Sequence, residues 1–134
     1  MGNKPYIIEL EKIGNPSLGY ITVAEFQKNI PFEIKRVYYL YDIPSSAKRG
    51  GHAHKELQQV LIAISGSFDV VLKDGNSVKI ITLNKPDKGL LINYNIWREL
   101  ENFSSGAVCL VLASDIFKEE DYIRIYEDFL DSIE

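Results

Sequence analysis

The sequence predicts an all-β barrel or sandwich carrying one C-terminal helix, and three observations carry that prediction. Most of the 134 residues fall into short, strand-length runs of β-branched, aromatic and aliphatic residues separated by turn residues. Asp74-Gly75-Asn76 stands between two such runs, and an Asp-Gly pair in that setting is a strong hairpin signal. Only the tail changes period, from two to the three- and four-residue spacing of a helix.

In chain order, Tyr6 to Leu10 is an apolar run of strand length, closed by turn residues at Gly14 to Ser17. Gly19 to Glu25 alternates, and Asn29-Ile30-Pro31-Phe32 breaks it. Ile34 to Asp42 is dense in residues that suit a pleated surface, whereas Pro44 to Gly51 is small and polar and reads as a loop. His52-Ala53-His54 follows, then a strand over Gln58 to Ile64 and a turn at Ser65-Gly66-Ser67. Phe68 to Lys73 and Ser77 to Leu83 form the hairpin arms, and Pro86 to Gly89 turns the chain into Leu90-Leu91-Ile92. Asn93 to Asn102 carries no clear period. Ala107 to Ala113 is continuously apolar, as in a strand buried on both faces. From Glu119 onward, Tyr122, Tyr126, Phe129 and Ile133 recur at helical spacing behind the acidic Glu119, Glu120 and Asp121, which predicts an amphipathic helix. No linker, repeat or low-complexity tract divides the chain, so residues 1–134 read as one domain.

Composition narrows the chemistry. Nineteen acids against fifteen bases give a net charge of −4, which argues against a generic nucleic-acid surface but leaves room for a local basic cleft. One cysteine, Cys109, excludes an internal disulfide framework and a Cys-rich zinc site. No apolar run approaches the ~20 residues needed to cross a bilayer as a helix, and the N-terminus lacks the apolar run of a secretory signal. No membrane association and a cytoplasmic location are therefore expected.

Both histidines of the chain lie in one tripeptide, behind Gly50-Gly51. On a strand, positions i and i+2 share a face, so His52 and His54 project together. His-x-His, then four residues, an acid, six residues and Gly is the first motif of the cupin superfamily, and this chain resembles it with Gln59 in place of the acid and Gly66 intact. Gly89 to Asn102 has the outline of the second cupin motif, with Arg98 where a metal-binding histidine would stand. A metal-binding cupin uses three histidines and a carboxylate. Here an amide and a guanidinium replace two of those ligands, and Arg offers no lone pair and a permanent positive charge. The reading is a metal-free, cofactor-free pocket whose imidazoles, Arg and Tyr hydroxyls suit acid/base work on an anionic or carbonyl-bearing ligand.

A narrower resemblance covers nearly the whole chain. Ile30 to Tyr39, Arg49 to Lys55, Gln59 to Ile62, Val111 to Asp115 and Asp121 to Arg124 are similar, in order and spacing, to the dTDP-4-keto-6-deoxyglucose 3,4-ketoisomerases. That resemblance implies a metal-free cupin (double-stranded β-helix, or jelly-roll) barrel, a homodimer with exchanged N-terminal strands, and a dTDP-linked 4-keto-6-deoxy sugar as substrate. The ketone moves from C4 to C3 through an enediol(ate), toward 3-amino deoxysugars of bacterial surface glycans. It implies His52 as the acid/base, with His54 and Tyr38 to shuttle protons or hold sugar oxygens. Arg98 then stabilises the developing oxyanion, and Arg36 and Arg49 meet the diphosphate. Arg36 reads equally as a surface charge and Gln59 as either a pocket hydrogen-bonder or a buried structural amide. Trp97 and the tyrosines are candidates to stack on thymine, or for the core. Arg98 matches the members that keep the gluco configuration at C4, while the companion position, Arg or Tyr in the family, is Leu18 here. A non-catalytic nucleotide-sugar-binding cupin and a metal-dependent cupin enzyme are the competing readings.

Overall fold

The structure is a computed structural model that describes residues 4–133. Its twelve strands are β1 (Tyr6–Glu9), β2 (Glu11–Asn15), β3 (Gly19–Val23), β4 (Arg36–Leu40), β5 (Arg49–His54), β6 (Gln59–Ser65), β7 (Phe68–Lys73), β8 (Val78–Leu83), β9 (Lys88–Ile92), β10 (Trp97–Glu101), β11 (Val108–Ala113) and β12 (Tyr122–Ile123). A 3-10 turn (Glu119–Asp121) precedes β12, and one helix, α1 (Tyr126–Ser132), follows it. Two five-stranded sheets, ordered β1-β9-β6-β11-β4 and β12-β5-β10-β7-β8, face each other as a cupin-type jelly roll. β2 and β3 form a separate hairpin. Among the described residues no helix is long and apolar enough to cross a membrane.

Alternation along the strands explains the apolar runs. Leu61 and Ala63 of β6, Leu90 and Ile92 of β9, and Cys109 and Val111 of β11 enter the core between the sheets, where they meet Phe68, Val70, Leu72 and Leu100. Their neighbours Val60, Ile62, Leu91 and Leu112 point the other way and are covered by Leu10, Ile30 and Phe32. Strands buried on both faces read as continuous apolar stretches, as Ala107 to Ala113 does. A third cluster, Ala53, Trp97, Ile123 and Phe129, seals the outside of the second sheet beneath α1.

Three segments depart from the sequence reading. Arg49 to Gly51, expected as loop, opens β5: Gly50 and Gly51 sit at φ +80° and +72°, and the β10 register slips opposite them, between Arg98 and Glu99. Two left-handed glycines at a bulge look like a loop in sequence. Gly50→Ala would hold alanine left-handed and bring its Cβ to 3.1 Å from the Arg98 carbonyl oxygen. A loss of about 1–2 kcal/mol is expected in urea unfolding, with activity falling as Arg98 shifts. The unassigned stretch before Asn102 contains β10, flanked by Asn95 and Asn102 at φ +62° and +59°, a conformation asparagine tolerates better than most residues. The helix begins at Tyr126 rather than Glu119, because Tyr122 and Ile123 pair with His54 and Ala53 of β5 instead.

Candidate active site

The open end of the barrel holds a cavity of about 320 Å³. It is built by alternation. β4 turns Arg36, Tyr38 and Leu40 inward and leaves Val37 and Tyr39 exposed outside. Gln59 and Leu61 come from β6, Val111 from β11, and Arg98 and Leu100 from β10. Antiparallel pairing sets Arg98 directly opposite His52 of β5. Leu40, Leu61, Leu100 and Val111 thus make an apolar floor under a polar ring of Tyr38, His52, Gln59 and Arg98, and Arg49, Tyr122 and Arg124 complete the wall.

One hydrogen-bonded chain orders Tyr38, Gln59 and Arg98 within that ring. Arg98, 2% exposed, donates from Nη1 to Gln59 Oε1 at 2.6 Å, and from Nε and Nη2 to the Ile96 carbonyl at 3.3 and 3.2 Å. Because Arg only donates, Gln59 must present its carbonyl oxygen to Arg98 and its NH₂ to Tyr38, whose hydroxyl oxygen accepts at 3.0 Å. The phenol keeps its own proton free to be given elsewhere. Of the five guanidinium N–H groups, the three just named are spent, and two remain.

The whole chain is shared with known proteins. A family model named FdtA, described as WxcM-like, C-terminal, matches residues 3–134. This chain belongs to the FdtA family. This FdtA-family chain is 48% identical over 129 residues to TDP-4-oxo-6-deoxy-alpha-D-glucose-3,4-oxoisomerase of Aneurinibacillus thermoaerophilus, covering 96% of this chain and 91% of that protein. A mutant of the 3,4-ketoisomerase QdtA from Thermoanaerobacterium thermosaccharolyticum, solved with TDP-4-keto-6-deoxyglucose, superposes with a TM-score of 0.95 at 41% identity, over 99% of this chain and 95% of that one. WlaRB, a TDP-quinovose 3,4-ketoisomerase from Campylobacter jejuni, gives 0.90 at 50% identity, over 95% and 97% of the two chains.

The FdtA-family cavity polarises its ionisable groups in opposite directions. Burial, aided by the Arg98 charge, pushes His52 down to about 4, so its imidazole is neutral near pH 7. Burial raises Tyr38 despite the Gln59 hydrogen bond, so its phenol stays protonated. Arg98 is lowered to about 10 by burial and remains a cation. An unprotonated base and a protonated acid therefore face one space beside a fixed positive charge, the separation of roles that proton transfer requires. Among the described residues no group of three or more His, Cys, Asp or Glu is placed to hold a metal ion.

Six of the eight residues expected from the FdtA-family sequence line this cavity: Tyr38, His52, Gln59, Arg98, Arg36 and Arg49. Gln59 is both a pocket hydrogen-bonder and a buried amide, and Arg36 is a cavity residue, its guanidinium 5.3 Å from the Tyr38 ring centre. His54 and Trp97 do not line it. His54 is 0% exposed and packs behind His52, edge-on, and against Tyr122. Trp97 is buried under α1 against Tyr126 and Phe129, its Nε1 donating to Glu99 at 2.8 Å, so the indole belongs to the outer cluster and not to a base-stacking platform.

Tyr122 and Arg124, which the sequence placed at the start of a helix and in a segment shared with the family, also line the cavity. Tyr122 packs 5.0 Å from the His52 ring, and Arg124 lies 4.1 Å over the Tyr122 ring with both forks of its guanidinium on Glu119. The period-2 placement of Tyr122 and Arg124 was the available signal, masked by the helical spacing of Tyr122 to Tyr126 and Phe129.

Proposed function

We propose that this chain is a cytoplasmic isomerase, a single cupin domain over residues 1–134, that moves the ketone of a dTDP-linked 4-keto-6-deoxyhexose from C4 to C3. The observation that carries the reading is the neutral His52 and protonated Tyr38 facing one cavity beside Arg98. His52 takes the proton from C3, and the electron pair becomes the C3–C4 double bond of an enediolate. Arg98 stabilises the negative oxygen with its two free N–H groups. Tyr38 serves the hydroxyl proton, which leaves O3 as O4 gains one, and His52 returns its proton to C4. The sum is one carbon-bound proton moved from C3 to C4 and one hydroxyl proton moved from O3 to O4, with no net oxidation. Neither step calls for a metal or cofactor.

Arg36, Arg49 and Arg124 at the cavity wall suit the diphosphate, since guanidinium forks match phosphate oxygens. Arg124 would exchange Glu119 for the ligand. Arg124→Gln is therefore expected to raise KM for the sugar nucleotide about tenfold with kcat little changed in steady-state assays, the loss of one charge-assisted contact. Arg98 favours the product of gluco configuration at C4.

The assembly that fits is a homodimer with exchanged N-terminal segments. β1 pairs with β9 of its own chain, so the segment free to exchange is the β2–β3 hairpin. That hairpin exposes Ile13, Tyr20 and Ile21, with Leu18 87% exposed at its turn, while β4 is an open sheet edge at the cavity wall. Leu18 cannot supply the polar contact that its Arg or Tyr counterpart makes, and this favours the second reading, a binding module without catalysis.

Incubating the protein with dTDP-4-keto-6-deoxyglucose and following the carbonyl by ¹³C NMR separates the two. Transfer of the ketone signal to C3 is expected; an unchanged 4-keto sugar with binding retained would establish the module instead. Stoichiometric Fe, Mn or Zn required for turnover would favour a metal-dependent cupin.

A further inference from the structure

Asp121 sits immediately before β12 and is tied to three parts of the turn after β5. Its backbone carbonyl accepts from Lys55 N at 2.9 Å, Oδ1 from Glu56 N at 2.8 Å, and Oδ2 from Leu57 N at 3.3 Å. With its oxygens fixed in this way, Oδ2 meets His54 Nδ1 at 3.0 Å. A carboxylate accepts only, so Nδ1 must carry the proton and Nε2 must carry the lone pair. His54 Nε2 is buried and has no hydrogen-bond partner, so nothing on its own side of the ring sets the tautomer. Burial, reinforced by the Arg98 charge, holds His54 far below its ordinary pKa. The contact is therefore a hydrogen bond from a neutral imidazole rather than an ion pair.

The His54 ring in turn meets the His52 ring edge-on, with centres 4.8 Å apart and planes at 83°, and packs 4.4 Å from the Tyr122 ring. His54 thus forms the wall against which the cavity base rests. The electrostatic setting adds a second consequence. Four arginines line the cavity and no acid does among the described residues, while the Asp121 charge is felt as far as Arg98. When His52 becomes an imidazolium, Asp121 is the negative charge behind it.

We propose that Asp121 is a positioning residue for the isomerase reaction, acting through His54: it fixes the Nδ1–H tautomer of that buried ring, and with it the seat and the counter-charge of His52. Its kinetic consequence rests on the isomerase reading, but the tautomer belongs to the free protein. Asp121→Asn keeps an oxygen for Glu56 N and turns an NH₂ toward Nδ1, which forces the proton of His54 onto Nε2. The test is ¹⁵N NMR of histidine-labelled protein together with kcat and KM for wild type, Asp121→Asn, His54→Gln and the double variant.

Wild-type His54 is expected as the neutral Nδ1–H form from pH 5 to 8, shifting to Nε2–H in Asp121→Asn. The kcat of Asp121→Asn should fall about tenfold to a hundredfold with KM within about twofold, as for partners that orient a working imidazole. His54→Gln should cost a similar factor, and the double variant little more than either, because the two residues act as one unit. A wild-type His54 that is Nε2–H or cationic would overturn the assignment even if Asp121→Asn fails to fold. So would an unchanged kcat in Asp121→Asn, or fully multiplicative losses in the double variant. A wild type that binds the sugar nucleotide but does not turn it over would overturn the isomerase reading, leaving the tautomer to be judged by its own spectrum.

Discussion

His52→Asn is expected to lower kcat by about 10²- to 10⁴-fold while the protein stays folded and KM for the sugar nucleotide changes little. His52 faces the cavity opposite Arg98 in the β5–β10 pairing, and its imidazole is neutral because burial and the Arg98 charge both disfavour a second proton. Asparagine is close in size and retains polar contacts, but it has no group that titrates in the working range. The loss therefore falls on the proton-transfer step rather than on binding, whose partners lie at the arginine-lined wall. Circular dichroism and thermal unfolding check the fold, and the kcat-against-KM split checks the role.

Arg98→Met is expected to lower kcat by about 10²- to 10³-fold, the usual consequence of removing a preorganised donor to an oxyanion. Stability should change far less. Arg98 is a buried cation whose removal relieves a desolvation cost, even as the Gln59 and Ile96 oxygens lose their donors. The substitution carries a pH signature of defined sign. Below its pKa His52 is protonated and cannot act as a base, so wild-type kcat/KM should fall as pH drops through about 4. Arg98 contributes to that depression, second to burial, so its removal should move the acid limb upward, part of the way toward the ordinary histidine value near 6.5. An acid limb that stays put in Arg98→Met would mean the two groups do not share the cavity electrostatically.

The barrel was legible because its strands obey period 2 and its turns carry strong residue signals. Asp74-Gly75-Asn76, Gly66 and the continuous run into Ala113 all lie where the chain turns or is buried on both faces. What resisted reading was local structure governed by distant partners. Tyr122 and Ile123 have helical spacing to Tyr126, yet pairing with His54 and Ala53, far earlier in the chain, makes them a strand. Gly50 and Gly51 have the composition of a loop, yet the slip against Arg98 turns them into the start of β5.

The site divides along the same line. His52, Gln59 and Arg98 were found because motif spacing places them together, and Tyr38 because the family resemblance implies it; all four line the cavity. His54 shares the face of His52 by period 2, but one step further along the strand that face is covered by Tyr122, so the second histidine is a supporting wall. Trp97 precedes Arg98 on β10 and must therefore point to the opposite side, under α1. The neighbour of a cavity residue on a strand is by geometry excluded from that cavity, a rule the sequence already contained. Asp121 stood in the sequence only as an acidic helix start and as part of a segment shared with the family; its tie to His54 was hidden, since its partners on the turn after β5 are far away in the chain.

The proposed chemistry moves a proton between adjacent sugar carbons by means of His52. It is tested most directly by running the reaction with dTDP-4-keto-6-deoxyglucose in D₂O and reading the sugar by proton NMR. A 3-keto product is predicted for the wild-type protein, with deuterium at C4 in the fraction of turnovers in which the His52 imidazolium exchanges its proton with solvent before returning it, and neither product nor deuterium uptake for His52→Asn. Bound but unchanged and undeuterated sugar with the wild-type protein would contradict it, as would full conversion by His52→Asn.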